Sequence, residues 1–474
     1  MRTFLISFMF VALIAPSGAI AEPTERLSTI TDRDFVNLTV YNGGTALVHD
    51  RRRVNVNAGL NRIAWRDVSA DMDPTSALLE GVGASNHISV IEQNFNYDLL
   101  NPSALLQKYV GREVVVVHEA RFAGDRDTRE KARILSINGG IVLQYRDRIE
   151  TEVRGYIIYP ASPKNFRDRP TLDLDMQSQR DGPQTLDLSY LTGGLSWHAD
   201  YVGVVSPDEA QLSLVGLVTL SNTSGSSYEN ARLQLVAGNV NTASPAGSAL
   251  REIAHVASDV YSASGVRQEN YFEYHLYTME HPTTILDKQT KQLTLLTARG
   301  IPIRKTLELR GSGQYYESPE PDLGDRTPAS VYVTFENRGG DLGIPLPGGV
   351  VRIYENDSRN LSQFLGSDQI EHTARNEKVR LHLGDSFDVT ARKRQTDFHR
   401  AGSCSVDSSY EIVVSNAKST AQDVLVVESI PGDWQILDES LQHAKSSAST
   451  ANWSVHVLPD KRSTLTYTAR VKWC

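Results

Sequence analysis

The chain has 474 residues, a formal net charge of −9 and 40% hydrophobic residues, with charges of both signs mixed along its length. That length suits roughly two to four domains, and the mixed, mildly acidic balance argues against nucleic acid or an anionic membrane surface as the main partner. No run beyond the first twenty or so residues is long and apolar enough for a membrane-crossing helix, so an integral membrane protein is not expected.

Residues 1–21 read as a secretory signal peptide. Arg2 supplies the positive start, 4–16 is an apolar run too short to span a bilayer comfortably, and Ala19-Ile20-Ala21 is a small-residue cleavage pattern. Cleavage after Ala21 and a periplasmic or secreted location are expected. The chain carries two cysteines, Cys404 and Cys474. In an exported protein an even count favours one disulfide, here closing a loop of about seventy residues and contributing up to about 4 kcal/mol. A free C-terminal thiol is the alternative, and zinc ligation by two such distant cysteines is not expected.

In chain order, 22–165 reads as an N-terminal β-domain. Strands over 34–41 and 46–56 flank the hairpin turn Asn42-Gly43-Gly44-Thr45, and 60–65 and 76–82 continue the pattern. One short helix is expected, capped by Asn101, with Pro102 in its first position, Leu105, Leu106 and Tyr109 as its apolar patch, and Gly111 at its end. Strands follow at 114–117, 131–137 and 141–145. Residues 166–395 read as a central β-sandwich domain, with a mobile loop at 239–268 rich in Ala, Ser and Gly. Its clearest stretch is 190–240, where Leu212, Leu214, Gly216, Val218 and Leu220 alternate with their neighbours, and Trp197, Ala199 and Tyr201 oppose His198 and Asp200. A continuous strand is expected over 271–279. Residues 396–474 read as an immunoglobulin-like C-terminal domain with strands at 410–416, 423–429, 451–458 and 465–473. The fold class is therefore all-β, multi-domain and sandwich-like, with one or two short helices.

Several stretches resemble a known family: YLTGGLSWHADY, NTSGSSYENARLQLVAG, FEYHLYTMEHPTTILDKQTKQL, LPGGVVRIYEND, GDSFDVTARKR and the earlier EQNFNYDLLNPSALLQKYVGREV. As a set they look like the bacterial family known as domain of unknown function 4139, over about residues 35–473. The resemblance implies an extracytoplasmic, mostly β protein. Some relatives are called mucoidy inhibitors and carry a long coiled coil, which this chain lacks. The resemblance brings no catalytic residues with it.

The strongest candidate site is Tyr271, Glu273, His275 and Tyr277. On one continuous strand these share a face at spacings of about 7 Å, and a carboxylate, an imidazole and two phenols there could bind sugar or a metal. The alternative is a tyrosine-rich inner face. His198 and Asp200 share a strand face but lack the nucleophile elbow of a triad hydrolase. Glu371-His372 lies in a connection with no metalloprotease spacing, and Asp71-Met72-Asp73 invites calcium or, more simply, a turn. Trp197, Trp434 and Trp453 suit either sugar stacking or core packing. Arg51-Arg52-Arg53 and Arg392-Lys393-Arg394 read as solvated strand ends or linkers. No cofactor is expected. The pattern favours a non-enzymatic binding or scaffolding protein of the bacterial envelope, whose partner is an envelope protein or polysaccharide. The alternatives are an extracytoplasmic hydrolase of glycans or peptides, using Glu273, His275, His198 or Asp200, and a purely structural spacer.

Overall fold

The computed structural model describes residues 24–83, 87–97, 99–119, 126–153, 155–161, 167–238, 260–261, 266–320 and 323–474. The signal-peptide stretch and most of 239–268 lie outside the described residues. What is described is nearly all β, with several sheets and one α-helix. None of its helices is long and apolar enough to cross a membrane. The chain divides into two compact units: one holds the residues up to Val36 together with His49–Leu191, the other Asn37–Val48 together with Thr192–Cys474.

In the first unit, Glu25–Ser28, Gly59–Arg66, Thr171–Ser178 and Ile88–Asn96 form a four-stranded sheet in that order. Alternation buries Ile63 and Trp65 from one strand and Leu172, Leu174 and Met176 from its neighbour. A second sheet, of five strands, builds a small core of its own from Val114, Val116, Ala132, Ile134 and Leu143. The helix Pro102–Lys108 belongs to this module and forms as its sequence dictates. Asn101 accepts the amide hydrogen of Ala104 at 2.8 Å, and Leu105, Leu106 and Tyr109 pack onto the module's core.

The second unit contains a five-stranded sheet in the order Gln289–Pro302, Gln211–Asn222, Leu195–Val205, Gly349–Asn356, Ser362–Ile370. Trp197, Ala199, Tyr201 and Val205 point to its buried face, as alternation predicts. Tyr228–Ala237 lies in a different sheet, pairing in parallel with residues 37–41 and antiparallel with Tyr274–Met279. Leu233, Leu235 and Tyr277 are among its buried side chains.

The unit also holds a nine-stranded sheet, running from Asp433–Glu439 through Lys461–Lys472, Ser405–Asn416, Lys378–Arg400, Thr327–Glu336, Arg304–Arg310 and Gln422–Ser429 to Thr450–Val457 and Ala444–Ser447. Residues from both ends of that order, including Tyr467, Ile412, Val426 and Trp453, meet in one core, so the sheet folds over into the C-terminal sandwich. Cys404 and Cys474 are joined as a disulfide with their Cα atoms 5.8 Å apart. The expected boundary at 395/396 does not separate two cores. It falls inside the single strand Lys378–Arg400, and Leu307, Leu309, Ala329, Val389 and Ala391 contribute to the C-terminal core.

Candidate functional site

The stretch expected as one strand over 271–279 is a hairpin. Val266–Tyr271 and Tyr274–Met279 pair with Tyr271 opposite Tyr274, and Phe272-Glu273 forms the turn, with Phe272 at φ +56°. A two-residue turn reverses the chain, so Tyr271, Glu273, His275 and Tyr277 do not line one strand face. Glu273 sits exposed in the turn. Tyr277 points inward, is 1% exposed, and donates to the Pro345 carbonyl at 2.9 Å.

What the hairpin brings together instead is a group of rings at the ends of neighbouring strands. Tyr41 lies opposite Val236, and His275 opposite Ala237. Burial pushes the Tyr41 phenol above its ordinary pKa, and the nearby Tyr271 and Tyr274 add to that rise. The Tyr274 ring lies against Gly238, where a Cβ would fall 2.5 Å from its Cδ1; the positive φ of Gly238, +133°, also favours glycine. Phe272 is 71% exposed at the tip, its ring 6.3 Å from that of Tyr274.

Two histidines stand at the same strand ends but on the other face, because His275 directly follows Tyr274 in its strand. The Nδ1 of His275 accepts from the Gln268 amide at 3.2 Å, which leaves the neutral ring its proton on Nε2. Burial, and then the neighbouring His372, hold its pKa below the ordinary value. The Nδ1 of exposed His372 accepts the Gly348 amide hydrogen at 3.0 Å, while its Nε2 lies 3.5 Å from the Asn42 side-chain amide. The loop carrying Gly348 is fixed by two buried phenols. Tyr277 donates to the Pro345 carbonyl and Tyr201 to that of Pro347, the latter at 2.8 Å. Leu346 and Thr373 exchange a pair of backbone hydrogen bonds, which sets the position of His372. Pairing of the next residue, Gly349, with Ala199 is so close that a Cβ would fall 2.1 Å from the Ala199 carbonyl oxygen.

His198 and Asp200 do share a strand face, with Nε2 and Oδ2 3.1 Å apart. Asp200 also accepts from Arg352 and Thr219, each at 2.8 Å. Burial raises its pKa, but the hydrogen bonds from Arg352 and Thr219 and the charges of His198 and Arg352 outweigh that and hold it below the usual carboxylate range. A carboxylate so fully engaged is a poor general base.

The remaining candidates take structural places. Asp73 caps the short helix Pro74–Ser76, accepting from the Thr75 amide at 2.9 Å, while Met72 between the two aspartates is buried. Trp197, Trp434 and Trp453 are all buried. No three His, Cys, Asp or Glu side chains among the described residues gather to hold a metal.

The basic runs correct an expectation. Arg52 is fully buried, and the Lys393 side chain is only 11% exposed. In each run strand alternation turns the middle residue inward.

Sequence reasoning found His275 and Tyr271 but missed Tyr41, Asn42 and Tyr274; it weighed His372 only as half of a Glu371-His372 metal pair. The missed three stand beside turn residues, and nothing local to them shows that the strand ends meet. The chain matches no family model and no curated protein.

Proposed function

We propose that this chain is an extracytoplasmic envelope protein with a non-enzymatic binding role, and that the aromatic hairpin tip is the contact it offers to another envelope macromolecule. The observation that carries this reading is the arrangement at the tip: Phe272 exposed, backed by Tyr271, Tyr274 and Tyr41, on a hairpin seated against Gly238. Rigid aromatic rings with polar ends give large contact area at low conformational cost, and Tyr is enriched among residues that dominate interface energies. His275, His372 and Asn42 add hydrogen-bonding groups at the same strand ends.

The Cys404–Cys474 disulfide supports an oxidising compartment, and the signal-peptide pattern of 1–21 supports export. The motif resemblance to domain of unknown function 4139 supports membership of that envelope-associated family. The favoured partner is an envelope protein, with envelope polysaccharide as the other outcome of the test. Replacing the turn residue Glu273 with a photocrosslinking phenylalanine analogue places the probe beside Phe272. Illumination of intact cells is expected to give a discrete adduct that Phe272→Ser, combined with the probe, removes. An absence of adducts under every growth condition, or adducts indifferent to Phe272→Ser, refutes the reading.

A further inference from the structure

The second unit contains a cleft of about 210 Å³ that shares no residue with the tyrosine–histidine group. Its walls are aliphatic and include Val205, Leu307, Val331, Val333, Leu365 and Leu383. Two of these leucines owe their position to irregular pairing. In Ser362–Ile370, Gly366 pairs with Ile353 and Phe364 with Tyr354, so Leu365 is an extra residue with no cross-strand partner. In Lys378–Arg400, Gly384 pairs with Val331 and His382 with Tyr332, which leaves Leu383 in the same situation. A bulge of this kind re-aims a side chain, and here two independent bulges turn a leucine to the same cleft.

Glycines complete the shape. At Gly366 a Cβ would fall 2.3 Å from the Leu383 carbonyl oxygen, so the two bulged strands approach closely there. At Gly384, which also lines the cleft, the backbone has φ +124° and a Cβ would meet nothing within 4 Å, so the wall stands open.

The charged residues of the cleft select among possible occupants. Lys305 is satisfied by Glu209, and Asp385 accepts from the Ser330 hydroxyl at 2.9 Å. The ammonium of Lys418 and the carboxylate of Glu355 make no ion pair among the described residues, with each other or with any other group. One free charge of each sign beside an aliphatic wall complements a small molecule that carries both charges and a branched hydrocarbon. A cavity near 150 Å³ admits benzene, so this one suits roughly eight to ten heavy atoms.

We propose that the cleft binds a free aliphatic α-amino acid, with its carboxylate on Lys418, its ammonium on Glu355 and its side chain against Leu365, Leu383 and Val331. This site is independent of the aromatic hairpin.

Titration calorimetry on the full exported protein, disulfide intact, tests it. L-leucine or L-isoleucine is expected to bind, with 4-methylpentanoate and 3-methylbutylamine, which each lack one charge, at least ten-fold weaker. Lys418→Gln and Glu355→Gln are each expected to weaken leucine binding at least ten-fold. Leu365→Trp, at a position 40% exposed and so able to take a larger side chain, is expected to abolish it. An absence of heat with both amino acids overturns the proposal. So does a single-charge analogue that binds as tightly, or leucine affinity unchanged in the three variants. The analogue series on the unaltered protein decides the matter even where a variant misfolds.

Discussion

The first unit buries a cluster of charged side chains. Asp50 is fully buried and accepts from Arg33, Arg52 and the Trp65 indole. The Arg52 guanidinium also lies over the Trp65 ring at 4.6 Å and donates to the Ser28 and Arg66 carbonyls. Burial pushes the Asp50 carboxyl up, yet the two guanidinium groups win and hold it at about 2, against 3.8 for an ordinary aspartate. The unfolded chain therefore takes up this proton first. The carboxylate's contribution, roughly 2 kcal/mol, is complete above about pH 5, declines as pH falls through the ordinary value, and is gone below about pH 2. Asp50→Asn leaves Arg52 buried with its charge unanswered and is expected to destabilise the first unit by about 3–5 kcal/mol. Urea unfolding at pH 7 and pH 3 checks both statements: the gap between variant and parent should narrow at the lower pH. A gap that holds constant would show that the carboxylate's charge is not what stabilises the site.

Between strands, a few backbone positions decide which side chains meet. The hairpin of Val266–Tyr271 and Tyr274–Met279 reverses at Phe272-Glu273, a dipeptide with neither Gly nor Asn to announce a turn. That is why an alternating pattern over 271–279 reads as one strand. Gly238 then sets where the hairpin's Tyr274 rests. Gly238→Ala puts a methyl group into that ring and asks an L-residue to hold φ +133°, so the hairpin must shift. The expected result is a loss of about 1–3 kcal/mol together with a change in the His275 and His372 imidazole NMR signals. Unmoved imidazole signals would detach the histidines from the hairpin's seating. The long strand Lys378–Arg400 makes the same point. Its irregular pairing near Leu383 and near Ser386–Asp388 breaks the period of two, and so its role in the C-terminal core does not show in the sequence pattern.

For the molecule as a whole, the C-terminal sandwich is tied at its end. Ser405 pairs with Lys472 in the last strand, the Trp473 amide donates to the Cys404 carbonyl, and the disulfide follows directly. The bridge constrains a loop of about seventy residues in the unfolded chain. Replacing both cysteines with serine is expected to cost about 2–4 kcal/mol, read as a lower unfolding midpoint for the C-terminal sandwich. An unaltered midpoint would mean that the strands alone hold the terminus. Deeper in the same core, Lys393 meets both oxygens of Glu428 at 2.6 Å and lies over the Tyr315 and Tyr410 rings.

The sequence by itself determined the all-β class, the helix at Pro102–Lys108 with its Asn101 cap, the shared face of Trp197, Ala199 and Tyr201, and that an internal disulfide can join only Cys404 and Cys474. These depend on alternation, capping chemistry and count, all of which act within a few residues or need no geometry. Tertiary structure alone decided that Arg52 and Lys393 are buried, because their partners Asp50 and Glu428 carry no local sign of the pairing. It alone decided that Tyr41 meets Tyr271 and Tyr274, and that His275 meets His372. Residues so far apart in sequence become neighbours only when strand pairing fixes the register, and a shift of one residue would send each ring to the opposite face.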